Sequence, residues 1–202
     1  MQSRVAAMLK WEYVLTERVY RKFSRPIASF LARFNVSPNS VTIFATLFGI
    51  LAAIPIALGY FWESALLVFV AQILDCVDGD LARMTGRVTR RGAFLDRVFD
   101  RFVDAALIIG AIHLNPQELW LPGSLAIVGS FGVSISRVMA EAEGAECKVG
   151  IGGRDTRLAL LMVSLLAAEF YGLSAIVAGL WAIALLGFLT TAHRIAHTLK
   201  QL

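Results

Sequence analysis

Positive charge along this chain avoids three of its five internal links. Six stretches, 41–60, 64–82, 93–114, 119–140, 157–171 and 174–195, are apolar enough to cross a hydrocarbon core, some only with their polar ends included. A spanning helix needs about 20 such residues. The turns Phe61-Trp62-Glu63, Asn115-Pro116-Gln117 and Tyr171-Gly172-Leu173 carry no Lys or Arg. All 19 Lys and Arg residues lie in the N-terminal segment, the links 83–92 and 141–156, the adjoining helix ends, or the C-terminus. Basic residues collect on the cytoplasmic side of a membrane. The pattern predicts an all-α integral membrane protein of six transmembrane helices, with both termini facing the cytoplasm. Trp62, Trp120 and Tyr171 fall at the opposite face, where interfacial aromatics belong.

A hydrophobic content of 57% and a mean hydropathy of +0.68 suit one integral domain rather than a soluble protein with an attached anchor. The formal charge of +4 points to an anionic partner. In a membrane setting that means lipid headgroups or phosphorylated substrates, not nucleic acid. Residues 1–36 read as a cytoplasmic juxtamembrane segment and 37–202 as the transmembrane domain. Within 9–34, apolar residues such as Trp11, Phe23, Ile27 and Phe30 mix with basic ones, which suits a helix lying along the interface. Pro38 suits the opening of the first span. Cys76 and Cys147 have no metal-ligand spacing.

Carboxylates interrupt the apolar pattern at fixed intervals. Asp75 and Asp78 sit at i and i+3 near the end of the second span, Asp96 and Asp100 at i and i+4 near the start of the third. Each pair occupies one helix face. The short link implies antiparallel neighbours, so all four carboxylates are expected to meet near the cytosol. An intramembrane carboxylate is costly and marks a functional site. Four hard oxygen donors around one cavity suit Mg²⁺ or Mn²⁺, as one ion or a pair. Gly79, Ala82 and Gly92 leave room for a ligand to approach the backbone. Arg83, one turn beyond Gly79, is placed to reach a phosphate on the metal, so the set reads as a diphosphate site. Asp80 is expected to be solvated or paired with an arginine. Asp104, one turn deeper than Asp100, is expected to support the site or to pair with Arg101 or a histidine.

The run Asp75-Cys76-Val77-Asp78-Gly79-Asp80-Leu81-Ala82-Arg83, followed by Gly92, Asp96 and Asp100, resembles the signature of the CDP-alcohol phosphotransferases (class I CDP-alcohol phosphatidyltransferases) at every defined position. Ser37-Pro38-Asn39-Ser40-Val41-Thr42 resembles the stretch at that family's first span. The resemblance implies metal-dependent transfer of a phosphoalcohol from a CDP-alcohol to an acceptor hydroxyl, with release of CMP. It implies Asp75, Asp78, Asp96 and Asp100 as metal ligands, with two ions, and Asp100 as the general base. Spacing itself does not divide those roles between Asp96 and Asp100. It further implies a CDP site built from Asp75, Gly79, Ala82, Arg83 and Gly92, and a homodimer.

A second basic group comprises Arg137, Lys148, Arg154, Arg157 and Arg194. Positive-inside topology alone would put cations there; an acceptor-binding pocket would as well. Two features favour the pocket. Arg137 lies within a helix, and Gly152-Gly153-Arg154-Asp155-Thr156-Arg157 opens the fifth span, where a helix N-terminus favours anions. Such a pocket suits a phosphorylated or polyol acceptor. The chain is similar to family members that use inositol phosphate, either those making phosphoinositol lipids or those making di-inositol phosphate phosphates. The Gly-Arg-Asp-Thr-Arg stretch leans toward the latter. The competing class is an ion-coupled transporter or divalent-cation channel. Carboxylates at one face, no inverted repeat, and the Gly79, Ala82, Arg83, Gly92 set all speak against it.

Overall fold

A computed structural model describes residues 16–202, and among these every regular element is helical. The part of the expected interfacial helix over 9–15, with Leu9, Trp11 and Val14, lies outside the described residues. A single π-helical turn, Thr16–Tyr20, leads into α1, Arg21–Arg33. The longer elements follow: α2 Pro38–Leu51, α3 Ala53–Ala57, α4 Phe61–Met84, α5 Arg90–Leu114, α6 Pro116–Ala142, α7 Arg154–Tyr171 and α8 Leu173–Thr198.

Local chemistry fixes many of the boundaries. Pro38 and Pro116 stand at the first turns of α2 and α6, where a missing N–H costs nothing. Thr89 caps α5, its hydroxyl accepting from the Gly92 N–H at 3.0 Å. Only Gly172 separates α7 from α8, at φ +61° and ψ −148°, a conformation confined in practice to glycine. The stretch expected as one continuous span over 41–60 is broken at Ala52 into α2 and α3. Pro55 causes the break: it has no N–H to offer the carbonyl four residues back, that of Leu51.

The long helices close into a ring. α2 packs on α4 and α5, α4 on α7, α7 on α8, α8 on α6, α6 on α5, and α5 on α2 and α3. α1 lies against α4. The expectation that α4 and α5 pack as direct neighbours is not met: α2 bridges them and they make little contact with each other. Their aspartates therefore face a gap, and the gap becomes the site.

Packing inside the ring uses small residues, as expected where hydrophobic contrast with lipid is weak. α6 and α8 make the most extensive contact. A Cβ on Gly187 would lie 2.7 Å from the Gly129 carbonyl carbon, and one on Gly110 would lie 2.5 Å from the Ala53 carbonyl oxygen. Outward faces are apolar instead: Phe44, Leu47, Leu66, Ile109, Phe170 and Leu185 are all exposed. Such an apolar exterior is the arrangement of a membrane protein. Pro38–Ala57, α6 and α8 are long and apolar enough to cross a membrane. α4, α5 and α7 are the helices that bring in Asp75, Asp100 and Arg154.

Gly187→Leu is expected to force α6 and α8 apart and cost about 1–3 kcal/mol. Thermal unfolding of the detergent-solubilised protein reads this as a lowered Tm. An unchanged Tm would contradict the tight α6–α8 contact.

Candidate active site

Asp75, Asp96 and Asp100 each offer a carboxylate oxygen, and the three oxygens lie within 4.8 Å of one another. Asp78 stands one turn further along α4 and turns toward α2, accepting from the Thr42 hydroxyl at 2.5 Å. Thr42 is buried, its hydroxyl oxygen also 3.1 Å from the Pro38 carbonyl oxygen. Its place in the Ser37–Thr42 stretch was the one sequence signal for this contact. The tightest group is thus a trio, with Asp78 beside it. Three hard oxygen donors at this spacing fit a small divalent cation such as Mg²⁺ or Mn²⁺.

Arginines from α7 enter the same space. Arg154 Nη1 lies 2.8 Å from Asp75 Oδ2 and 2.9 Å from Asp100 Oδ1. Its Nε lies 3.1 Å from Asp104 Oδ1. Arg157 Nη2 holds the other Asp104 oxygen at 2.9 Å, and Arg157 Nη1 donates to the Gly152 carbonyl at 2.6 Å. Arg154 therefore reaches the carboxylates themselves, while Arg157 is buried behind them, 4% exposed. Asp104 pairs with these two arginines rather than with Arg101 or a histidine. Arg101 contacts Asp100 at 3.3 Å and donates to Ser134 on α6 at 2.6 Å. The i, i+3 spacing of Arg154 and Arg157 puts both on one face, the signal for a shared buried partner.

Two cavities open beside the aspartates. The larger, about 410 Å³, is walled by α4, α5, α6 and α7 with contributions from α8 and the N-terminal segment, and includes Asp75, Asp100, Arg137, Arg154, Arg157 and Arg194. The smaller, about 180 Å³, is lined by Asn39, Thr42, Ala82, Arg87, Thr89 and Gly92, among others. Asp78, Gly79, Arg83 and Asp96 belong to both walls. Gly79 leaves space that the Arg83 guanidinium covers: a Cβ there would meet Arg83 Nη2 at 3.3 Å. Gly92 lets the starts of α2 and α5 approach, with Asn39 Oδ1 3.1 Å from where its Cβ would be.

The basic group of the sequence divides. Arg137 reaches the wall of the larger cavity and pairs with Glu141 at 2.8 Å. Arg194 is buried, donating to the carbonyls of Val149 at 2.8 Å and Val133 at 2.5 Å. Lys148 is exposed and is not on that wall.

The N-terminal segment closes one side. Asp80 is buried, not solvated, and binds Ser24 at 2.5 Å, Arg83 at 2.8 Å and Arg21 at 3.8 Å. The Thr16 hydroxyl donates to Asp155 at the start of α7. Tyr20 packs on Phe69 with ring centroids 5.7 Å apart, and burial pushes its phenol up to about 12, so it stays neutral there. Neither Thr16 nor Arg21, both on the cavity wall, was marked by a motif.

Arg157→Met is expected to leave Asp104 with one arginine in a buried setting and to cost about 3–5 kcal/mol, the range for breaking a buried pair. A Tm equal to that of the wild type would contradict the assigned pairing.

The comparisons with known proteins agree with this geometry. The family model described as CDP-alcohol phosphatidyltransferase matches residues 35–192. The chain is 32% identical to the archaetidylinositol phosphate synthase of Pyrococcus horikoshii over 87% of its own length and 90% of the relative's. It is 38% identical to the phosphatidylinositol phosphate synthase of Cutibacterium acnes, over 77% and 76%. The crystal structure of the Mycobacterium tuberculosis phosphatidylinositol phosphate synthase with CDP-DAG bound superimposes with a TM-score of 0.79 at 26% identity, covering 87% of this chain and 92% of that one. The structure of that synthase with manganese and citrate gives a TM-score of 0.79 at 28% identity, covering 87% and 88%. With its aspartate signature and most of its length matched, the chain belongs to the CDP-alcohol phosphatidyltransferase family.

Proposed function

We propose that this chain is an enzyme of the cytoplasmic membrane that transfers the phosphatidyl-type group of a CDP-alcohol to a hydroxyl of an inositol phosphate, releasing CMP. The observation that carries the reading is the clustering of Asp75, Asp96 and Asp100 on the wall of the larger cavity, which shares Asp78, Gly79, Arg83 and Asp96 with the smaller one. A transporter needs a path to the far side. A group transfer needs two substrate spaces meeting at one cluster.

Asp75, Asp78, Asp96 and Asp100 would hold Mg²⁺ or Mn²⁺, as one ion or two. Bound there, the metal neutralises the diphosphate and makes CMP a better leaving group. Gly79, Ala82, Arg83 and Gly92 line the smaller cavity and receive the CDP part, with Arg83 facing its phosphates. The acceptor enters the larger cavity, where Arg137, Arg154 and Arg194 suit a phosphate monoester. Its hydroxyl oxygen attacks the phosphorus that carries the lipid alcohol, Asp100 takes the hydroxyl proton, and the bond from that phosphorus to the CMP oxygen breaks. The named relatives make inositol-phosphate lipids. Their names favour a lipid donor such as CDP-diacylglycerol or CDP-archaeol over a soluble CDP-inositol.

The same reading sets the protein in its membrane. Residues 37–202 form six spans, with α2 and α3 together as the first and α4 to α8 as the rest. The link 85–89, the link before α7 and both termini face the cytoplasm. Residues 1–36 form the juxtamembrane segment. Phe23, Ile27, Phe30 and Phe34 are exposed on and just after α1 and suit burial in the lipid interface. A homodimer is the assembly implied by the family.

With purified protein, Mg²⁺ or Mn²⁺, CDP-diacylglycerol and inositol phosphate, Asp100→Asn is expected to lower CMP release at least about 100-fold. Folding and donor binding should remain. Full turnover in that variant would remove Asp100 as the base. Arg137→Ala is expected to raise the acceptor KM about tenfold, the scale of one charged hydrogen bond, with the donor KM little changed. Lys148→Ala, outside the cavity, should move neither. Equal shifts of both KM values in Arg137→Ala would sink the assignment of the larger cavity to the acceptor.

A further inference from the structure

A small cavity of about 10 Å³ lies between α5, α6, α7 and α8. Asp104, Ser130 and Arg157 are its polar lining, and the rest is aliphatic. Every residue around it is at most 5% exposed, so the space is internal. A cavity of that size has room for about one water molecule.

Two of the three polar residues there carry an atom with no protein partner. Ser130 Oγ, on α6, and Arg157 Nε, on α7, are buried and bond to no described residue. The rest of the Arg157 guanidinium is occupied. Its Nη1 donates to the Gly152 carbonyl at 2.6 Å and its Nη2 to Asp104 Oδ2 at 2.9 Å. Those two bonds fix the plane of the group, so its Nε–H is not free to turn toward another acceptor. An unpaired donor and an unpaired hydroxyl on one buried wall are costly.

The chemistry of the wall selects the occupant. The fixed charge of Arg157 disfavours a cation, and the Asp104 carboxylate disfavours an anion. An apolar guest would leave both unpaired atoms as they are. A neutral molecule that both accepts and donates satisfies all three residues.

We propose that this cavity is a hydration site holding one ordered water. The water accepts from Arg157 Nε and from the Ser130 hydroxyl, and donates to Asp104, whose oxygens have lone pairs to spare. It ties α6 to the ion pair that joins α5 and α7. Arg154 Nε also rests on Asp104, at 3.1 Å, so the support beneath Arg154 spans three helices. The inference depends on neither the metal nor the reaction.

The first test is an experimental map of the purified full chain at a resolution that shows ordered water. A peak is expected within about 2.7–3.2 Å of both Ser130 Oγ and Arg157 Nε. A map with ordered waters elsewhere inside the ring and none here overturns the proposal. The second test is thermal unfolding, where a wet and a dry cavity give opposite signs. With water bound, Ser130→Ala removes a hydrogen bond and is expected to lower Tm by about 2–4 °C. In a dry cavity the same change removes a costly unpaired hydroxyl and raises Tm. Ser130→Cys separates hydrogen bonding from lost volume, because a thiol fills similar space but bonds weakly. Its Tm is expected to fall as well, and it stands in for Ser130→Ala should that variant not fold. A raised or unchanged Tm in either variant overturns the proposal.

Discussion

The structure turns on neutralising carboxylates that a membrane chain has drawn inside. Asp75, Asp96, Asp100 and Asp104 project inward from α4 and α5, where water is scarce and an unpaired charge is costly. Arg154 and Arg157, from α7, answer Asp75, Asp100 and Asp104 at 2.8–3.1 Å. That requirement accounts for the ring. α7 must reach the aspartates, so it packs on α4, and α8 and α6 close the circuit back to α5. Each of these helices can afford polar residues on its inner face because its outer face is apolar.

The layout separates two kinds of work. Away from the aspartates, the ring is filled by aliphatic side chains such as Leu107, Leu161, Leu165 and Ile183, all nearly fully buried. That end fixes helix positions. Near the linked ends of α4 and α5, the core gives way to the two cavities and the charged network. Asp80 extends the network to α1 through Ser24 and Arg21. The N-terminal segment is thereby joined to the site by polar contacts, and Tyr20 on Phe69 adds an apolar one.

Much of this was legible in the sequence. Hydropathy placed every long helix to within a few residues at most ends, because a span of the required length leaves little freedom. The aspartate spacing located the carboxylate cluster, because i, i+3 and i, i+4 positions share a face whatever the fold. What escaped depended on partners far along the chain. The break at Ala52 follows from Pro55, yet average hydropathy is blind to one missing N–H. The gap between α4 and α5 depends on α2 packing against both, which a short link cannot reveal. Arg154 and Lys148 look alike as cytoplasmic cations, but only one has its helix aimed at carboxylates 50 or more residues earlier.

The two cavities also bear on how a transfer could proceed. They share Asp78, Gly79, Arg83 and Asp96 as lining residues. A ligand in the smaller cavity and another in the larger can therefore both reach Asp78 and Asp96. That arrangement suits direct displacement between two bound substrates, in which the attacking oxygen and the departing one lie on opposite sides of phosphorus. It also explains why small residues recur in the motif. A Cβ at Gly79 would press on the Arg83 guanidinium at 3.3 Å, and one at Gly92 would crowd Asn39 at 3.1 Å.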